Sequence, residues 1–188
     1  MTRRYVQRGG EGMDDDMRVA RDIMVPMRDG IKLACDIYRP APAGQSVPGA
    51  FPVILERTPY GKGQTSRSEI SRHRPERPQS RQEVAACFVR HGYVVVYQDC
   101  RGRYGSEGAF EKYLAEATDG YDTCAWLVQQ SWCNGRIGTM GLSYAAHTQM
   151  ALASLNPPGL AAMVVDSGGF SNAYQSGIRQ GGAFELRQ

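Results

Sequence analysis

No stretch of the 188-residue chain approaches the ~20 consecutive apolar residues that a membrane-spanning helix needs. Arg3 and Arg4 are followed by VQRGGEGMDDD, which lacks the apolar stretch of a twin-arginine or secretory signal. The five cysteines are odd in number and none of them has CxxC or metal-finger spacing, so a disulfide framework, a zinc site and a dithiol redox motif are poor readings. They read as reduced and mostly buried, and with no signal segment the expected location is cytoplasmic. Charge is nearly balanced: 22 Lys and Arg against 19 Asp and Glu leave +3, too small a surplus to argue for nucleic acid or an anionic membrane. Histidine is scarce, with three in the whole chain.

Apolar residues at 41% and charged residues at 22% are ordinary globular usage, which excludes wholesale disorder and collagen. Residues 1–18 are polar and glycine-rich and read as a flexible tail; residues 19–188 read as one folded unit. Ile23, Val25 and Met27 alternate with other residues, as do Ile31, Leu33, Cys35 and Ile37, on either side of Asp29-Gly30. This is the pattern of a β-hairpin with an Asp-Gly turn. FPVILE, YVVVYQ, IGTMGL and LAAMVVD are short apolar runs expected of strands buried on both faces. Between them lie helical patterns: EVAACFVRHG, then Ala117, Tyr121, Cys124, Ala125 and Val128 on one face, then Thr148, Ala151, Leu152 and Leu155. The class is α/β: an antiparallel hairpin followed by a mostly parallel sheet with helices on both faces.

Gly141-Leu142-Ser143-Tyr144-Ala145 sits where IGTMGL meets a helix, the context of a nucleophile elbow. Such a turn is so tight that small residues two places to either side of the nucleophile are needed for strand and helix to approach, and Gly141 and Ala145 satisfy this. The turn lifts the Ser143 hydroxyl above the C-terminal edge of the sheet and leaves the Tyr144 N–H at a helix N-terminus, where an oxyanion can bind. A serine among small residues can equally make a tight turn and nothing more; the flanking strand and helix favour the catalytic reading.

The chain resembles the CocE/NonD hydrolases, whose members are cocaine esterase-like, α-amino-acid ester hydrolase-like and Xaa-Pro dipeptidyl-peptidase-like. The resemblance rests on MRDGIKLACDIYRP, ERTPYGK, DCRGRYGSEGAF, DGYDTCAWLVQQSWCNGRIGTMGLSY and QGGAFEL, in that order. It implies an α/β-hydrolase fold, a serine acyl-enzyme mechanism on small-molecule esters or amides and peptides, and no cofactor or metal. It further implies a helical cap and a C-terminal jelly-roll domain, which are not visible in these residues. By the same resemblance Ser143 is the nucleophile, Tyr144 its backbone oxyanion donor, and Tyr60 of TPYGK the tyrosine whose hydroxyl completes the oxyanion hole. Ala146 departs from the pattern, which has glycine there, and its methyl is expected to crowd the sheet slightly.

In this fold the acid and then the histidine follow the serine, yet only His147 lies beyond Ser143. Four residues on, along the same helix, it reads as surface or packing. Asp166 ends a strand but comes one strand earlier than the family's acid. The expectation is therefore an N-terminal part of a hydrolase domain whose acid and base lie beyond Gln188. His91 suits a helix C-terminus, and His73 lies in a polar loop. Asp99 and Arg101 read as a mutual pair pinning a loop, and Asp119 and Asp122 as acids favoured by a helix dipole. Trp126, Trp132 and Cys133 read as core and loop packing. Lys62, Arg67, Arg72, Arg74, Arg77 and Arg81 face only Glu69 and Glu76 in their loop. A non-catalytic binding module on the same scaffold is the competing reading, but without interleaved aromatics neither nucleic acid nor a membrane is expected as partner.

Overall fold

The hairpin forms from β1 (Met17–Pro26) and β2 (Lys32–Pro40), which pair antiparallel from Met17 opposite Pro40 to Pro26 opposite Lys32. The computed structural model describes residues 16–45, 47–65 and 77–168, and the backbone of 179–180 and 183–184. Met17 and Arg18, read as tail from sequence, thus belong to a strand, because they find Pro40 and Arg39 as ladder partners. The connection is the five-residue loop 27–31, wider than a two-residue Asp-Gly turn and closed by Met27 N–H to the Ile31 carbonyl at 2.8 Å. Gly30 still adopts the positive φ, 85°, that the turn requires.

Six strands form one sheet in the order β1-β2-β4-β3-β5-β6, with β3 at Phe51–Thr58, β4 at Val94–Asp99, β5 at Cys133–Leu142 and β6 at Leu160–Asp166. β2 runs antiparallel to β4; the pairs β3–β4, β3–β5 and β5–β6 are parallel. Helix α1 (Arg81–Val89) packs Ala85, Ala86 and Val89 on Tyr38, Val95 and Tyr97 of one face. On the other face, Cys124 and Leu127 of α2 (Glu116–Leu127) and Leu152 of α3 (Tyr144–Ala153) join Val53, Leu55, Val94, Val96 and Ile137. Helices therefore cover both faces, as expected. No helix among the described residues is long and apolar enough to cross a membrane.

Both alternating sets of β2 are buried: Ala34, Asp36 and Tyr38 are as buried as Leu33, Cys35 and Ile37, because β2 lies inside the sheet and α1 covers its second face. Among the described residues β6 has β5 as its ladder neighbour, and Val164 is 66% exposed. Of the cysteines, four are buried and free and Cys87 is exposed and free. Burial pushes the Cys35 and Cys124 thiols up to about 12, which keeps them protonated and unreactive.

Candidate active site

β5 ends at Leu142 and α3 begins at Tyr144, so the whole reversal falls on Ser143, at φ 58° and ψ −117°. This is a conformation that L side chains rarely adopt, and local strain of this kind persists only where surroundings over-determine it. Here Ser143 N–H donates to the Asp166 carbonyl of β6 at 3.1 Å, and its carbonyl accepts from the amides of Ala146 at 3.0 Å and His147 at 3.2 Å. The space around the turn admits only small residues. A Cβ on Gly141 would lie 2.5 Å from the Ala145 Cβ, and one on Gly168 would lie 2.9 Å from the Ser143 carbonyl oxygen. Gly168, which sequence reasoning passed over, is thus part of the elbow. Ser143 makes no capping hydrogen bond to its own helix, which leaves its exposed hydroxyl available. Ala146 is fully buried, and its amide still bonds the Ser143 carbonyl, so α3 starts regularly despite the extra methyl.

Tyr60 follows the end of β3, half exposed, and its hydroxyl lies 3.3 Å from Ser143 Oγ. Its backbone is fixed on three sides. Tyr60 N–H donates to Thr58 Oγ1 at 3.1 Å, Arg103 Nε donates to the Pro59 carbonyl at 3.0 Å, and Lys62 N–H donates to Asp99 Oδ1 at 2.6 Å. The Lys62 ammonium reaches Asp22 at 2.7 Å and Asp36 at 3.0 Å, tying the same loop to the bulge in β1 and to β2. Burial raises the Asp99 carboxyl above its ordinary range, against the pull of the Lys62 and Gly105 amides that it accepts.

Tyr144 supplies the first amide of α3, one of the helix N-terminal donors whose partners must come from outside the helix. Its side chain runs the other way, into the protein. The phenol donates to Glu116 Oε1 at 3.0 Å and accepts from Tyr113 N–H at 2.9 Å, and the two tyrosine rings stack at 4.9 Å. Burial, then the Glu116 carboxylate, push this phenol well above its ordinary value, so it stays a donor. Glu116 Oε2 lies 3.1 Å from Nη2 of Arg57, which is 1% exposed and also donates to Gln98 Oε1 at 2.7 Å and to the Glu116 carbonyl at 2.8 Å. Sequence reasoning missed this group; the signal available was the charged pair Glu56-Arg57 inside an otherwise apolar strand.

The remaining candidates make packing, capping and ion-pair contacts. The His147 ring packs on Tyr113 with centroids 4.3 Å apart, burial lowers its pKa, and the ring makes no hydrogen bond to the Ser143 hydroxyl. Asp166 accepts from the Ser167 hydroxyl at 2.7 Å. His91 caps its helix through Nδ1 and the Cys87 carbonyl at 2.7 Å. Asp99 and Arg101 do not pair with each other: they leave the strand end in different directions, and Arg101 grips Asp119 at 2.6 Å and Asp29 at 2.7 Å. Asp119 and Asp122 are more than helix-dipole acids, since Asp122 takes the Arg28 guanidinium at 2.7 Å. Trp126 and Trp132 meet edge to face at 6.4 Å beside the core, and Cys133 is buried within it. In the basic loop, Lys62, Arg77 and Arg81 pair with Asp22, Glu83 and Glu56, which neutralises these three locally. His73, Arg67, Arg72, Arg74, Glu69 and Glu76 lie outside the described residues, as does most of QGGAFEL.

Comparison with known proteins gives this geometry its relatives. The family model described as X-Pro dipeptidyl-peptidase (S15 family) matches residues 29–188. A cocaine esterase of Rhodococcus sp. (strain MB1 Bresler) is 40% identical over 152 residues, which are 80% of this chain and 24% of that protein. The solved structure of an α-amino acid ester hydrolase is 31% identical with a TM-score of 0.69, over 96% of this chain and 30% of its own. A CocE/NonD family hydrolase from Staphylococcus aureus is 33% identical with the same TM-score of 0.69, over 86% of this chain and 30% of its own. The chain thus spans less than a third of the length of these relatives. The elbow sits on a sheet shared with solved α/β-hydrolases, and the family match runs through every element from the β1–β2 loop onward: the chain belongs to the X-Pro dipeptidyl-peptidase (S15) family and has the α/β-hydrolase fold.

Proposed function

We propose that Ser143 is the nucleophile, and Tyr60 and the Tyr144 amide the oxyanion hole, of a serine hydrolase acting on small-molecule carboxylic esters or amides and peptides. The observation that carries this reading is the 3.3 Å approach of the Tyr60 and Ser143 hydroxyls, with Ser143 held at φ 58° on the elbow. Ser143 Oγ attacks the carbonyl carbon and gives its proton to a base. The carbonyl oxygen becomes an oxyanion that accepts from the Tyr60 hydroxyl and the Tyr144 N–H. Collapse expels the alcohol or amine with that proton and leaves an acyl-Ser143 ester, which water then hydrolyses to the acid. Base and acid come, in this proposal, from polypeptide downstream of Gln188; the packing of His147 on Tyr113 supports assigning the base elsewhere. The names of the cocaine esterase and the α-amino acid ester hydrolase support ester substrates, and the family's name supports peptides.

A cytoplasmic location belongs to the same proposal. It is supported by five cysteines that are all free, and recovery of the native protein from a secreted fraction would overturn it. The reaction is tested by exposing the full-length protein to a fluorophosphonate and mapping the adduct by mass spectrometry. Labelling at Ser143, and loss of both label and ester hydrolysis in Ser143→Ala, is the expected result. Labelling that persists in the variant rejects the assignment.

A further inference from the structure

An oxyanion hole built from two elements works only if both donors stay aimed at one oxygen. Tyr60 rides on the end of β3, and the Tyr144 amide opens α3. Glu116, in the first turn of α2, touches both elements from behind. It is 3% exposed. Its Oε1 accepts from the Tyr144 hydroxyl at 3.0 Å, and its Oε2 lies 3.1 Å from Arg57, which sits on β3 just ahead of Tyr60. Because the Tyr144 oxygen already accepts from Tyr113 N–H, its one proton is committed to Glu116. Arg57 donates through Nε to Gln98 and through Nη1 to the Glu116 carbonyl, while its Nη2 meets Glu116 Oε2 as an ion pair without an aligned hydrogen bond.

Resting on the function proposed above, we infer that Glu116 is a positioning residue: it ties Arg57 of β3 to Tyr144 of α3 and so sets the gap between the two oxyanion donors without touching substrate. The charge-assisted hydrogen bond from Tyr144 and the buried ion pair with Arg57 hold both elements to one carboxylate, and a small misplacement of a donor is costly to rate. The link acts on the transition state more than on the ground state, because the oxyanion exists only there.

Tyr144→Phe in the full-length protein tests this, since it keeps the ring and the backbone amide and deletes the hydroxyl that donates to Glu116 and accepts from Tyr113 N–H. With an ester substrate, kcat should fall by roughly tenfold at unchanged KM, a fraction of what deleting a donor outright costs. Affinity for an arylboronic acid, whose tetrahedral boronate on Ser143 places an anionic oxygen in the hole, should fall by a similar factor. In a Tyr60→Phe background the same substitution should cost less, because no gap between two donors remains to be set. Glu116→Gln, which keeps an acceptor for the phenol, should retain more kcat than Glu116→Ala. Wild-type kcat and boronate affinity in Tyr144→Phe would overturn the inference, as would a kcat loss with boronate affinity unchanged. Hydrolysis retained in Ser143→Ala would instead overturn the reading on which it rests.

Discussion

The hydroxyls of Tyr60 and Ser143 lie 3.3 Å apart although 83 residues separate them in sequence. Register brings them together. β3 and β5 are parallel neighbours with Leu55 opposite Thr139, so both chains leave the sheet at the same edge a short step past that rung. Tyr60 then turns on its Thr58, Arg103 and Asp99 contacts, and Ser143 on its strained elbow. Site geometry here is a consequence of strand pairing, fixed before any substrate arrives.

Removing the Tyr60 hydroxyl while keeping its ring isolates its role. Tyr60→Phe in the full-length protein should lower kcat by about 10² to 10³, the usual cost of deleting one oxyanion donor, with little change in KM. Steady-state kinetics on an ester substrate provide the check, and an unchanged kcat would remove Tyr60 from the site.

Gly141 answers to two constraints. Its φ is 149°, and a Cβ there would lie 2.5 Å from the Ala145 Cβ and 3.1 Å from the Ala145 carbonyl. Gly141→Ala should destabilise the fold by more than ~2 kcal/mol, through backbone strain together with overpacking. Adding Ala145→Gly removes the methyl clash but not the φ penalty, so it should recover only part of the loss. Urea unfolding of the two variants separates the contributions; full recovery would mean that φ costs nothing here.

Arg57 is the largest fully buried side chain of the described residues. Its guanidinium faces Glu116 at 3.1 Å and Asp119 at 3.8 Å. Arg57→Met leaves Glu116 without its buried cation, whereas Asp119 keeps Arg101, and should cost about 3–5 kcal/mol, the range for breaking a buried pair on one side. A second substitution, Glu116→Gln, removes the stranded charge and should restore part of that loss. A denaturation midpoint for Arg57→Met equal to wild type would show that water reaches the carboxylates.

Continuous apolar runs made the parallel strands legible, and the small-x-Ser-x-small spacing at Gly141 to Ala145 made the elbow legible, because both are local patterns with local causes. Burial by neighbours was not. The period of β2 records which side chains share a face, but not that α1 covers the second one, nor that Asp36 is a buried anchor for Lys62. Ion partners were the least legible feature. Asp99 and Arg101 were paired because they are close in sequence, whereas Arg101 reaches Asp119 and Asp29, and Arg57 finds Glu116 at a separation of 59 residues. Such pairings follow from the sheet order, which the charges themselves do not encode.

Helix α1 offers an acid-sensitive contact whose sign can be worked out. Ser80 Oγ accepts from Glu83 N–H at 3.2 Å while the Glu83 carboxylate accepts from Ser80 N–H at 2.8 Å, a reciprocal cap at the helix start. The Arg77 guanidinium donates to the same carboxylate at 2.6 Å, and this bond, followed by the Ser80 amide, lowers the Glu83 pKa from 4.5 to about 2. A carboxyl depressed on folding contributes stability that is fully present above its unfolded value, and that contribution disappears as pH falls through the folded one. Glu83 should therefore support the fold at pH 6 and lose its contribution between about pH 4.5 and pH 2. The size is modest because the Arg77 side of the pair is solvent-exposed and screened. In a thermal series from pH 6 down to pH 2, Glu83→Gln should start from a lower Tm than wild type, and the two should converge toward the acid end. A gap that stays constant across the series would mean that the cap is held by the Ser80 hydroxyl alone.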